Sequence, residues 1–158
     1  MHIFNRRPRL PKALALPLML LPRRLHGLAL SKLLNQLFKR EMSEGEFDFL
    51  EGRSVQIKVT DANLAYAVGM EQGRFVEAVG RAADLIVSGD FYDYLLLVTG
   101  REDPDTLFFH RHLTMDGDTG LGVHLKNMLA AVEIERLPLP KNFRPAIDRC
   151  LSLYERLA

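Results

Sequence analysis

The residues of this chain best suited to chemistry are five histidines, one cysteine and a few clustered carboxylates. His110-Arg111-His112 sets two imidazoles close in sequence, and His124 could add a third. A zinc site takes three or four ligands, yet no His-Glu-x-x-His pair and no second cysteine accompany them. Surface or hydrogen-bonded histidines are the better reading, and no metal is expected. Asp116-Gly117-Asp118 begins like a calcium loop, but Leu121 stands where the sixth-position glycine belongs and Asn127 where the twelfth-position glutamate belongs. The two aspartates read instead as a strand-to-helix turn and a helix cap. Gly117, Gly120 and Gly122 are in the wrong order for a dinucleotide loop, and no Gly-Lys-Ser/Thr follows. Cys150 falls on the apolar side of a predicted helix, so a buried thiol is expected rather than a nucleophile. No Gly-x-Ser-x-Gly elbow is present either. No nucleophile, acid and base stand together, so the expected assignment is no catalytic residue and no cofactor.

Charge is unevenly spread. Residues 1–40 hold nine bases and no acid, which leaves twelve bases against 20 acids in the rest. A basic arm on an acidic body points to an anionic partner for the arm alone. The acidic body would repel a nucleic acid, so none is expected. Arg6, Arg7, Arg9, Lys12, Arg23 and Arg24 flank an apolar run from Ala13 to Leu21. Pro17 interrupts that run, and Pro22-Arg23-Arg24 ends it where a signal-peptide cleavage site should lie. It also falls short of the about 20 residues that span a bilayer. These six bases form a candidate membrane-surface set. The alternative is an arm whose leucines pack on the body or on a second copy, giving a homodimer.

Positioning these groups requires the following elements. Pro22 can open a helix carrying Leu30, Leu33, Leu34, Leu37 and Phe38 as far as Arg40. Val55 to Val59 alternates as a half-buried strand, and Leu64–Met70, Arg74–Val79 and Ala83–Val87 continue as strands. Ser88 is the expected cap of a helix with Phe91, Tyr94, Leu95 and Val98 on it, stopped by Gly100. Asp103-Pro104 opens a helical turn with Leu107, Phe108 and Phe109, and Leu113–Met115 is a short strand. Asp118 or Thr119 caps a helix whose Leu121, Leu125, Met128, Leu129 and Val132 share a face. Pro145 opens the last helix. Segregated strands and helices indicate α+β, with a mainly antiparallel five-stranded sheet covered by helices. One cysteine permits no intrachain disulfide, which fits a reducing cytoplasm. What remains is a surplus of apolar side chains in the second half, and periodicity does not separate a filled core from a hollow one.

Phe49-Leu50-Glu51-Gly52-Arg53, Ala83 to Gly89, and Gly117 to Val132 resemble the sterol carrier protein type 2 domain, the match running over residues 25–135. Asp103 to Arg111, followed by Leu113 to Gly122, is similar to one branch of that family, the UbiT-like accessory factors of ubiquinone biosynthesis. The resemblance implies helices on a sheet around an apolar lipid tunnel, and no catalytic residues. For that branch it implies a role in the oxygen-independent route to ubiquinone. Polyprenyl quinone, its precursors or phospholipid tails would be held for hydroxylating partners such as UbiU and UbiV. It carries over no residue-level signature, so the expected lipid-binding residues come from apolar faces: Phe91, Leu95, Leu107, Phe108, Leu121, Leu125, Met128 and Leu129. The expected organisation is an arm (1–24), a lipid-binding domain (25–135), and a C-terminal linker and helix (136–158). The expected location is cytoplasmic, since the sequence given ends Arg156-Leu157-Ala158 rather than in a peroxisomal Ser-Lys-Leu, with peripheral membrane contact through the basic arm. The competing classes are a protein-interaction scaffold with a solid core, and an enzyme using His110, His112 and Asp116.

Overall fold

A computed structural model describes residues 7–11, 20, 22–78 and 80–156, with Arg23 and Arg24 described in backbone only. The arm's Arg6, Lys12 and the leucines from Leu14 to Leu18 lie outside the described residues. In chain order the elements are α1 (Arg23–Leu37), α2 (Lys39–Ser43), β1 (Ser54–Val59), β2 (Leu64–Glu71), β3 (Arg74–Glu77) and β4 (Leu85–Gly89). They continue with α3 (Phe91–Thr99), α4 (Pro104–Phe109), β5 (Leu113–Gly117), α5 (Thr119–Ala131) and α6 (Phe143–Arg156). Single 3₁₀ turns sit at Asp48–Leu50 and Ile134–Arg136.

The five strands form one sheet in the order β3-β2-β1-β4-β5. It is mixed: three pairings are antiparallel, but β1 and β4 run parallel. The length of β3 explains this. Glu77 pairs with Val68, Val68 with Val55, and Val55 with Leu85, so the end of β3 is level with the start of β1. A chain leaving so short a strand crosses to the free side of β1 while still at that end. It must then run the same way as β1. Asp84 completes the crossing, its carboxylate accepting the Ser54 N–H at 2.8 Å.

α1, α2 and α5 cover one face of the sheet. Beneath them Phe47, Leu50, Val55, Met70, Phe75, Leu85, Val87, Leu121 and Leu125 make the main core. Each such side chain contributes on the order of 1.5–3 kcal/mol by leaving water. Phe47 packs edge-on to Phe38 and Phe75, with ring centroids 5.2 and 5.0 Å apart. α1 stops at Leu37 rather than Arg40, because Phe38 leaves helical geometry and turns its ring into that core.

Two further sequence expectations are corrected. Ser88 does not cap α3; it lies within β4, opposite Thr114, and the cap position is Asp90. Asp61 satisfies the first N–H of that helix, accepting from Phe91 at 2.9 Å. Cys150 is exposed rather than buried. α6 points Ile147, Leu151 and Tyr154 at α3, and Cys150 falls just outside that stripe.

Residues 7–11 lie against the body. Leu10 is buried with Val59, Ala62 and Tyr154. Its N–H donates to Asp61 at 2.9 Å, and Arg7 pairs with the buried Asp93 and with Glu102. Tyr92 stacks on Tyr154, and Arg101 bonds Asp148 at 3.1 Å. Residues 7–10 and α6 therefore both pack on α3.

Candidate functional site

The site is built from α4, β5 and the start of α5. Asp103 caps α4, accepting the Thr106 N–H at 3.0 Å, with Pro104 set at the first helical turn where its missing donor costs nothing. Leu113 to Gly117 then pairs with β4 in antiparallel register. Gly117 has φ +122, and a Cβ there would stand 2.4 Å from the Asp84 carbonyl oxygen, so only glycine permits this close turn. Asp118 next caps α5, accepting the Leu121 N–H at 2.9 Å and pairing with Arg53. Those two bonds hold its carboxyl below the usual carboxylate range, the bond from Leu121 first.

One turn into α5, Gly122 is buried and faces Met115 and Leu85. With no side chain there, an apolar recess opens over Leu85, Phe108 and Met115, with Val123, Thr119 and Lys126 at its rim. Its volume is about 260 Å³, just under the ~300 Å³ at which small-ligand pockets begin, so it fits part of a chain. Leu85 is both its floor and a member of the main core, with 1% of its surface exposed. Phe108 and Lys126 also border a shallower recess of about 600 Å³ with Phe109 and His110. Lys126 pairs with Asp105 at 3.2 Å, which puts one cation at the junction of the two.

Of the expected lipid-binding residues, Phe108 alone lines the recess. Leu121 and Leu125 are buried in the main core, and Met128 and Leu129 pack against it. Leu95 and Leu107 belong to a separate cluster with Leu113 and Leu151, against which Phe91 packs. The recess residues not anticipated include Leu85, Met115, Gly122, Val123 and Lys126. Gly122 carried the usable signal: a glycine inside a helical pattern marks close packing or missing volume.

The histidines do not converge. His110 and His112 have ring centroids 5.9 Å apart, whereas His124 stacks on Phe49 with its Nδ1 2.9 Å from the Gly120 carbonyl. Among the described residues, no three His, Cys, Asp or Glu side chains are grouped to hold a metal. Asp116 is exposed and alternates in β5 with Met115, which faces the core. A larger cleft of about 750 Å³ lies between α2 and the end of α5; Arg40 pairs with Glu44 and Arg136 with Glu133 there, and Lys39, Glu41 and Glu46 also line it. Of the candidate membrane-surface bases, Arg9 is exposed, and Arg7 is held by the ion pairs described above.

Comparison with known proteins matches residues 31–130 to the SCP-2 sterol transfer family. Over 128 residues the chain is 38% identical to the ubiquinone biosynthesis accessory factor UbiT of Escherichia coli K12, covering 81% of this chain and 74% of that protein. The O157:H7 protein gives the same figures. Among solved structures, the UbiJ-SCP2 ubiquinone synthesis protein superposes with a TM-score of 0.55 at 16% identity, over 70% of this chain and 98% of that one. That likeness bears on the fold.

Proposed function

This chain belongs to the SCP-2 sterol transfer family, and from that premise we propose that it is a non-catalytic lipid-binding accessory factor in ubiquinone biosynthesis. The observation that carries the reading is the continuity of the recess with the core through Leu85. A tail seated on Leu85, Phe108 and Met115 can extend inward if α5 shifts, because Met128 and Leu129 are only partly buried against the same core. Opening along Leu121, Leu125, Met128 and Leu129 would turn the recess into the expected tunnel. Each CH₂ sheltered there gains about 0.8 kcal/mol, which favours a long isoprenoid or acyl tail.

The polar head would remain at the Lys126 rim, within reach of other proteins. The role is to hold polyprenylated intermediates, quinone or phospholipid in the oxygen-independent route, for hydroxylating partners such as UbiU and UbiV. The basic arm, including Arg6, Arg9, Lys12, Arg23 and Arg24, would bring the protein to the membrane surface. No helix among the described residues is long and apolar enough to cross a bilayer.

Native mass spectrometry with organic extraction, on protein purified from a ubiquinone-producing bacterium, tests this. A co-purifying polyprenyl quinone, precursor or phospholipid supports it. Clean apoprotein that also takes up no added quinone would favour the scaffold with a solid core.

A further inference from the structure

The turn between α4 and β5 presents an aromatic and basic tip. Phe109, the last residue of α4, is 84% exposed. The helix ends in a Schellman closure: the His112 N–H donates to the Leu107 carbonyl at 2.9 Å and the Arg111 N–H to the Phe108 carbonyl at 3.1 Å. That closure requires a left-handed residue, a place glycine usually takes, and here it is Arg111 with φ 58. His110 and Arg111 are both exposed, and the His110 ring lies 5.4 Å from that of Phe109.

A second basic segment arrives from far away in sequence. Arg7 is anchored to Asp93 on α3 and to Glu102, just before α4, and Arg9, two residues further on, is exposed. Glu102 is engaged by Arg7, Asp105 by Lys126, and Asp103 caps α4, whereas Arg9 and Arg111 make no ion pair among the described residues. The helix dipole favours a cation at the end of α4. It explains neither an arginine in a left-handed position nor a phenylalanine turned out to solvent.

We propose that this tip docks the protein on anionic phospholipid bilayers, with Phe109 entering the interface while Arg111 and His110 meet the phosphates. The proposal deepens the lipid-site reading and rests on it, because the recess beside Phe109 shares Phe108 and Lys126 with the apolar recess. Docking here sets the mouth of the site against the membrane from which a tail must enter.

The chain has no tryptophan, so Phe109→Trp supplies a single reporter. Its emission should shift to the blue with phosphatidylglycerol vesicles and stay unchanged with phosphatidylcholine vesicles. Phe109→Ser should weaken vesicle binding about tenfold or more. Arg111→Gly should weaken it about fivefold while leaving the melting temperature equal or higher, since glycine relaxes the backbone. Quinone uptake from detergent micelles, measured on the same variants, should persist. If both substitutions leave vesicle binding intact, or if neutral vesicles bind equally well, the proposal is overturned, and in the first case a protein partner becomes the better occupant. If the chain holds no lipid yet the tryptophan shift remains, the lipid-site reading falls while the docking surface stands.

Discussion

The Asn35 side chain pairs with both backbone groups of Phe75. Its Oδ1 accepts the Phe75 N–H at 2.8 Å, and its Nδ2 donates to the Phe75 carbonyl at 2.8 Å. β3 is the edge of the sheet, so these groups would otherwise offer a template for another strand. One amide on α1 thus closes the edge and fixes α1 over the core.

Asn35→Ala should cost about 1–3 kcal/mol, because two backbone groups lose their partners. Urea unfolding would report the loss, and hydrogen exchange would show the Phe75 amide losing protection. Unaltered protection at Phe75 would mean that the pairing contributes nothing.

Gly122 separates the fold from the site. A Cβ there would meet Met115 Sδ at 3.4 Å and Leu85 Cδ1 at 3.5 Å, which are ordinary contacts. Gly122→Ala should therefore fold normally and gain up to about 1 kcal/mol of helix propensity. Gly122→Leu should fill the recess and reduce quinone uptake. Equal uptake by the leucine variant would place the lipid elsewhere.

Arg7→Ala would leave the buried Asp93 carboxylate without its cation. A loss of about 1–3 kcal/mol is expected, and a double-mutant cycle with Asp93→Asn should show coupling between the two. Additive effects would mean that the arm docks through Leu10 alone.

His112 should make stability depend on pH. Partial burial, and then Arg7, hold its imidazole below the ordinary value. The unfolded chain therefore binds more protons in the window just below about pH 6.5, so this contribution is complete above the window and is lost as pH falls through it. Asp93 acts in the opposite sense. Burial raises its carboxyl despite Arg7, so its contribution is present at low pH and lost as pH rises through the raised value. His112→Asn should flatten the fall in melting temperature between about pH 7 and 5. Parallel curves for the two proteins would rule this out.

Reversing the charge of the arm with Arg6→Glu, Arg9→Glu and Lys12→Glu keeps Leu10 and Arg7 in place. Anionic-vesicle binding should weaken, each base being worth ~1 kcal/mol near such a surface, while quinone uptake from micelles persists. Unchanged co-sedimentation would remove the arm from the membrane contact.

Local physics made much of the fold legible in the sequence. The alternation of Val55 to Val59, the cap at Asp118, the Asp103-Pro104 helix start and the stop at Gly100 each depend on neighbours within a few residues, and each appears where expected. The segments Phe49 to Arg53, Ala83 to Gly89 and Gly117 to Val132 were likewise enough to point to the family. What depended on long-range geometry was not legible. The parallel pairing of β1 and β4 follows from where the short β3 ends, and the burial of Leu10 from contacts with Val59, Ala62 and Tyr154 far along the chain. The apolar periodicity of α5 identified a buried face, but a filled core and a lipid site demand the same residues. Only the tertiary structure decided that Leu121 and Leu125 fill the core while the neighbouring Gly122, lacking a side chain, leaves the recess above Leu85 open.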